Sequence, residues 1–156
     1  MVTVDQILYI LFLAALPVVE ARGSVPYGIL TGIDVPTVVA LSIVGNLAPV
    51  PFLLLFLCKI EGWVMGRSDG NPVKRLFIKY IERLRRTARS KVERYGFWGL
   101  MIFVIVPLPG TGAWTGSAVA YLFGIENKRA FASIALGVVG AVALLAVAFS
   151  VFGLVL

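Results

Sequence analysis

The chain has 156 residues, of which 60% are hydrophobic and 14% charged, with a net charge of +6. A soluble domain lies nearer ~45–50% apolar and ~25% charged, so the composition describes an integral membrane protein of one compact domain. One cysteine, Cys58, and no histidine exclude an intramolecular disulfide, a cysteine metal cluster and the usual near-neutral proton carrier. No metal and no cofactor are expected. The N-terminal MVTVDQ places Asp5 where a cleavable signal carries positive charge, so no signal peptide is expected either.

The first apolar run, Ile7 to Leu16, is about ten residues long and resumes from Tyr27 to Ile33. A helix rises about 1.5 Å per residue and the hydrocarbon core is about 30 Å thick, so each arm reaches only half way. Between the arms lies LPVVEARGSVPYG, whose prolines stop a helix by removing an amide donor and crowding the preceding turn. Two half-length arms joined in this way predict a re-entrant helical hairpin. Such backbone is tolerated inside a membrane only where protein buries it or water reaches it. The second region, Val35 to about Ile60, is long enough to cross as one span. Asn46, Pro49 and Pro51 interrupt it, and Asn46 reads as a structural hydrogen-bonding residue between helices, worth on the order of 1 kcal/mol.

Ten of the fourteen Lys/Arg fall between Arg67 and Arg94. Val73, Phe77, Tyr80, Ile81, Leu84, Ala88 and Val92 recur at helical spacing and predict a helix from Val73 to Arg94. Lys74, Arg75, Lys79, Arg83, Arg86 and Arg89 occupy much of the remaining surface. The pattern reads as a basic amphipathic helix on the cytoplasmic leaflet, with anionic headgroups of membrane lipids as its partners, or as a topology anchor with no further role. Nucleic acid is not an expected partner, because aromatic platforms and a soluble module are absent.

The third region, Phe97 to Val106, breaks at Pro107-Leu108-Pro109-Gly110 and resumes from Ala113 to Ile125, which predicts a second hairpin. The fourth, Ala130 to Leu156, spans. Sliding the chain by 92 positions lays Leu16-Pro17 on Leu108-Pro109 and Gly32-Ile33-Asp34 on Gly124-Ile125-Glu126. The expected fold is therefore an all-α integral membrane protein with two inverted repeats, 1–60 and 96–156, joined by the basic segment 61–95. Each repeat is a re-entrant helical hairpin followed by a transmembrane helix. A hairpin returns to its own side and a span crosses, so Lys59, the basic segment and Lys128-Arg129 share one side. The positive-inside rule makes that side cytoplasmic and both termini extracytoplasmic in a multi-pass cell-membrane protein. Four full spans would instead separate Lys128-Arg129 from the other cations, and cysteine labels at residues 127 and 70 tell the two apart. So thin a bundle is compatible with a homo-oligomer.

Glu20 and Arg22 are the leading functional candidates, because ionisable residues within membrane segments are rare and usually functional. At i,i+2 two helical side chains do not face each other. Either the backbone is non-helical here or each charge finds a partner elsewhere, and the second hairpin offers Thr111, Trp114, Thr115 and Ser117. In the functional reading Glu20 titrates a proton and Arg22 binds or balances an anion through its planar fork of donors. In the structural reading the two merely pin the hairpin tip. In PLPGTGAWTGS, residues 107–117, freed amides around Gly110 to Gly112 and the following helix N-terminus suit an anion. Gly112 and Gly116, spaced as GxxxG, equally suit close helix packing. Pro17, Pro26, Pro107 and Pro109 shape the tips. With Glu20, Arg22, Gly110, Thr111, Gly112, Trp114 and Thr115 they make up the candidate substrate- or proton-binding set. Without a Ser/His arrangement, a metal cluster or paired carboxylates, catalysis is not expected.

Leu16-Pro17-Val18-Val19-Glu20-Ala21-Arg22-Gly23-Ser24-Val25-Pro26, with Pro107-Leu108-Pro109-Gly110-Thr111-Gly112, resembles the archaeal and bacterial family of putative small multi-drug export proteins over nearly the whole chain. That family is distantly similar to the DedA superfamily. The resemblance implies two facing re-entrant hairpins and, as in some DedA members, lipid scrambling or transport of polyprenyl-phosphate carriers coupled to a proton gradient. DedA proteins typically carry an arginine in the second hairpin motif, whereas positions 107–125 hold no charged residue here, so only Glu20 and Arg22 carry over. The resulting expectation is a transporter or scramblase for an anionic lipid or amphipathic small molecule. A multidrug/proton antiporter and a non-transporting scaffold are the alternatives.

Overall fold

The computed structural model describes residues 2–66, 68, 71–108 and 110–153, and the side chains of these except 58, 60, 61, 85, 87–94, 152 and 153. Among them the fold is all-helical, with eight helices and no strand. Helix α1 (Val4–Ala15) opens with a capping box: Thr3 Oγ1 accepts from the Gln6 amide at 3.4 Å, and Gln6 Oε1 accepts from the Thr3 amide at 3.0 Å. A turn over Leu16 to Val19 sends the chain back along α1 as α2 (Glu20–Leu30). The polar stretch is a turn up to Val19 and α-helical after Glu20, which itself takes a left-handed conformation at the start of α2. Its sequence is a poor helix former, since Pro26 has no amide for the Arg22 carbonyl and two glycines lie within it. Packing on α1, α3 and α8 holds it in place: Val25 and Gly28 are buried, and Ser24 Oγ donates to Ser42 Oγ at 2.8 Å.

The region expected as one span is two helices, α3 (Val35–Leu47) and α4 (Val50–Met65). Asp34 caps α3 by accepting the Thr37 amide at 3.0 Å. The break at Ala48-Pro49 follows from Pro49 and Pro51, neither of which has an amide to donate back into the preceding turn. Val35–Leu57 is nonetheless apolar over 23 residues, and Asn127–Val151 over 25, so two stretches are long and apolar enough to cross a membrane. Exposed Phe52, Leu55, Leu144 and Val147 give these stretches an apolar outer surface.

The basic helix α5 (Pro72–Tyr95) extends one residue beyond each end of the predicted Val73–Arg94. Part of its apolar side lies against protein. It packs on α6 (Phe97–Ile105), α7 (Ala113–Leu122) and α4, with Leu84 buried and Phe77 and Ile81 half-buried. Arg75, Lys79, Arg83 and Arg86 are exposed and Lys74 is half-buried, while the Arg89 side chain lies outside the described residues.

Helix α8 (Asn127–Gly153) completes the bundle. Positions 92 apart behave alike. Leu30 ends α2 and Leu122 ends α7; Val35 begins α3 and Asn127 begins α8. Gly32 and Gly124 take φ of 78° and 64° at equivalent helix ends. Ile33 donates to Gly28 O at 3.1 Å, and Ile125 to Ala120 O at 2.9 Å, which closes the same turn twice. Gly45 presses on Leu11 and Ala14 of α1, and Gly137 on Met101 and Val104 of α6; a Cβ on either would come within 2.8 Å and 2.6 Å of its neighbour. Across the two halves, α2 lies on α8 and α7 on α4.

Candidate functional site

The two inter-helix turns meet. Glu20 opens α2 with φ of 48°, a left-handed conformation that a non-glycine residue seldom adopts, and its side chain is only 4% exposed. The carboxylate reaches across to the first turn of α7, where Oε1 accepts from the Trp114 amide at 3.1 Å and the Ala113 amide also interacts with it. Helix N-termini present unsatisfied amides and a partial positive charge, so a carboxylate from another segment serves as their cap. Gly112, at φ 128°, makes this approach possible, because a Cβ there would sit 1.9 Å from Glu20 Oε2.

Arg22, half-buried two residues on, points to the same segment. Its Nη2 donates to the Thr111 carbonyl and, at 3.0 Å, to Thr111 Oγ1. Thr111 holds the tip in shape, donating to the carbonyls of Val106 and, at 2.8 Å, Leu108, while its own amide donates to Leu108 O at 3.1 Å. Trp114 Nε1 donates to Ala15 O at 3.1 Å and ties α7 to the end of α1. Each charge therefore finds its partner on the opposite turn, and the backbone at Glu20 is also non-helical, so both halves of the i,i+2 alternative are present.

The other candidates divide. Thr115 is buried and donates to Gly112 O at 3.3 Å within its own helix, so it supports the tip without facing Glu20 or Arg22. Gly116 lies 2.7 Å, at Cβ, from Val104 and serves packing, so the two glycines of the GxxxG pair split their roles. Pro17, Pro107 and Gly110 are exposed in the turns and Pro26 is half-buried, while Pro109 lies outside the described residues. A small cavity of about 10 Å³ adjoins the contact, lined by Glu20, Arg22, Asn46, Gly112 and apolar residues of α6 and α8. No group of three or more potential metal ligands occurs among the described residues.

Two residues behave differently from what their sequence context suggests. Asn46, expected to bond across helices, is 3% exposed and its Oδ1 has no partner, so that expectation is corrected. Tyr80 of α5 was read only as part of an apolar face. It keeps 44% exposure, but burial first and the Glu20 carboxylate second raise its phenol above the usual 10.0. A raised tyrosine stabilises the fold in its neutral form below pH 10.0, and that contribution is lost as pH rises through the higher folded value. In an ultraviolet titration one tyrosine should ionise late, and Glu20→Gln should bring it earlier. An unchanged late step in that variant would separate α5 from the Glu20 charge.

Two apolar stretches long enough to cross a membrane, a basic amphipathic helix, and a buried acid and half-buried base joined across two turns are the features that describe this all-helical chain. The chain belongs to the family described as putative small multi-drug export protein, whose sequence profile matches residues 20–144 and so begins at Glu20 itself. No curated protein and no solved structure matches the chain.

Proposed function

We propose that the protein moves an anionic lipid, or an amphipathic small molecule of similar charge, across the bilayer, and that Glu20 and Arg22 form the working centre. The observation that carries this is the engagement of both charges with the second turn rather than with each other or with solvent. A carboxylate as buried as Glu20 is costly, and ionisable residues within membrane segments are usually functional.

In this reading α1–α2 and α6–α7 are two re-entrant hairpins of inverted repeats, entering from opposite faces and meeting tip to tip. The equivalences 92 residues apart, in helix ends, positive-φ glycines and close glycine crossings, support that relation. The basic segment lies in the cytoplasm with Lys128 and Arg129, and both termini lie outside. Cysteines placed at Asn71 and Asn127 in a Cys58→Ser background should label from the same side; labelling from opposite sides would overturn the second hairpin.

An apolar groove of about 390 Å³ between α4 and α8 supports a lipidic cargo, with Leu54, Leu55 and Phe131 suited to an acyl chain and Lys128 to an anionic headgroup. The family description favours a small amphipathic cargo as the second reading. Purified protein in liposomes with a fluorescent anionic phospholipid tests the first. Fast exchange by the wild type, lost in folded Glu20→Gln and Arg22→Ala, is the expected result. No exchange by any of the three, with flux of an amphipathic dye instead, would transfer the proposal to the small molecule. Neither flux would leave the two charges as structural pins.

A further inference from the structure

Asn46 is the penultimate residue of α3, two residues before Ala48 at the break. Its side chain is 97% removed from solvent, its Oδ1 has no hydrogen-bond partner, and it lines the same cavity as Glu20 and Arg22. A buried amide oxygen without a donor is costly, and native structures resolve such atoms with a partner or an ordered water. Glu20 supplies a second acceptor to the same lining. Glu20 Oε1 is committed to the Trp114 amide, while Oε2 lies toward Gly112, which also lines the cavity.

The chemistry of the lining selects the ligand. A resident anion would meet two acceptors in a space of about 10 Å³, too small for a phosphate or carboxylate group. The Arg22 guanidinium, also in the lining, already balances the Glu20 charge, so a cation gains little. A water satisfies every group, donating one hydrogen to Asn46 Oδ1 and the other to Glu20 Oε2, and accepting from an Arg22 N–H. Buried waters have two to four such partners, and a polar cavity of about 10–15 Å³ holds one. The volume here, about 10 Å³, has room for one water and no more.

We infer that Asn46, Glu20 and Arg22 hold a single buried water where α2, α3 and α7 converge, and that Asn46 is a positioning residue acting on Glu20 through it. The water links the carboxylate of the first hairpin to the broken span, so that the hydrogen bonding of Glu20 and the α3–α4 break are read by one another. No proton changes hands in this arrangement. Arg22 on α2 is the charged group that acts on Glu20 around it, and Glu20 in turn acts on Tyr80 of α5.

Water-selective nuclear Overhauser measurements on methyl-labelled protein in nanodiscs test this, with water itself as the probe. Val138 and Ala141 line the cavity and carry methyls that cannot exchange with solvent. Wild type should show water cross-peaks to both, with the sign of a protein-bound molecule. Glu20→Gln should keep them, since its amide oxygen still accepts and no carboxyl proton remains to relay the signal. Asn46→Leu should lose them with neighbouring methyl shifts intact. If Asn46→Leu does not fold, Asn46→Val removes the same oxygen with less bulk. Absence of the peaks in wild type, or their survival in the folded Asn46 variant, overturns the inference. The water is read without any flux, so a protein that moves no lipid can still show it, and failure here is distinct from failure of the transport proposal.

Discussion

Gly112→Ala is expected to unseat the contact between the two turns and to destabilise the folded protein by on the order of 4 kcal/mol. Two effects add. The backbone there has φ of 128°, where an L side chain is strained by about 1–3 kcal/mol. The new Cβ would also stand 1.9 Å from Glu20 Oε2 and 2.8 Å from its Cδ, so the carboxylate must withdraw from the Trp114 amide. Gly110→Ala is the control. Gly110 has φ of 87° but nothing within 4 Å of where an alanine methyl would sit, so only the strain of about 1–2 kcal/mol applies. Shortening the obstacle in Gly112→Ala/Glu20→Ala should return part of the loss, because the steric component vanishes. Thermal unfolding of each variant in detergent, followed by tryptophan fluorescence, checks the order. Equal melting of Gly112→Ala and Gly110→Ala would mean that Glu20 does not occupy this place.

The sequence made the lengths of the arms visible, because helix rise against bilayer thickness needs only a count, and the glycines and prolines mark where each arm ends. It also marked Glu20 and Arg22, since at i,i+2 a regular helix could not pair them. It could not identify Arg22's partner, because that partner includes the Thr111 main-chain carbonyl, a group every residue possesses. Nor could it say what covers the apolar face of α5. Periodicity identifies a face but not its neighbour, and here Leu84 is buried in a helix that packs on α6 and α7. The helicity of α2 was equally hidden, since poor propensity was overridden by packing. The α3–α4 break was legible in Pro49 and Pro51, and the rule that proline removes a donor was simply outweighed by the length of the apolar run. The orphaned oxygen of Asn46 depends on the absence of a donor in three dimensions, which no spacing encodes.

Arg22→Met should be more damaging than Glu20→Gln, and the double variant should recover part of the loss. Removing the guanidinium strips a donor from the Thr111 carbonyl and hydroxyl and leaves a buried carboxylate without its neighbouring charge. Losing hydrogen bonds from a charged donor costs about 1.5–3 kcal/mol. Glu20→Gln is gentler at about 1 kcal/mol, because its amide oxygen still accepts the Trp114 amide and loses only the charge assistance. In Arg22→Met/Glu20→Gln the uncompensated charge is gone, so the double variant should melt above Arg22→Met alone, with a coupling of about 1–3 kcal/mol. Strict additivity would show that the two side chains do not sense each other, and would also remove the electrostatic reason for placing both at one tip. Arg22→Lys separates charge from geometry: it keeps the cation but loses the planar fork that reaches two oxygens of Thr111, so it should fall between wild type and Arg22→Met. The same series divides a working site from a pin. A pin is judged by stability alone, so every variant that folds should behave as wild type in the liposome assay. A working pair requires Glu20→Gln, the most stable of the set, to lose exchange while it keeps its fold.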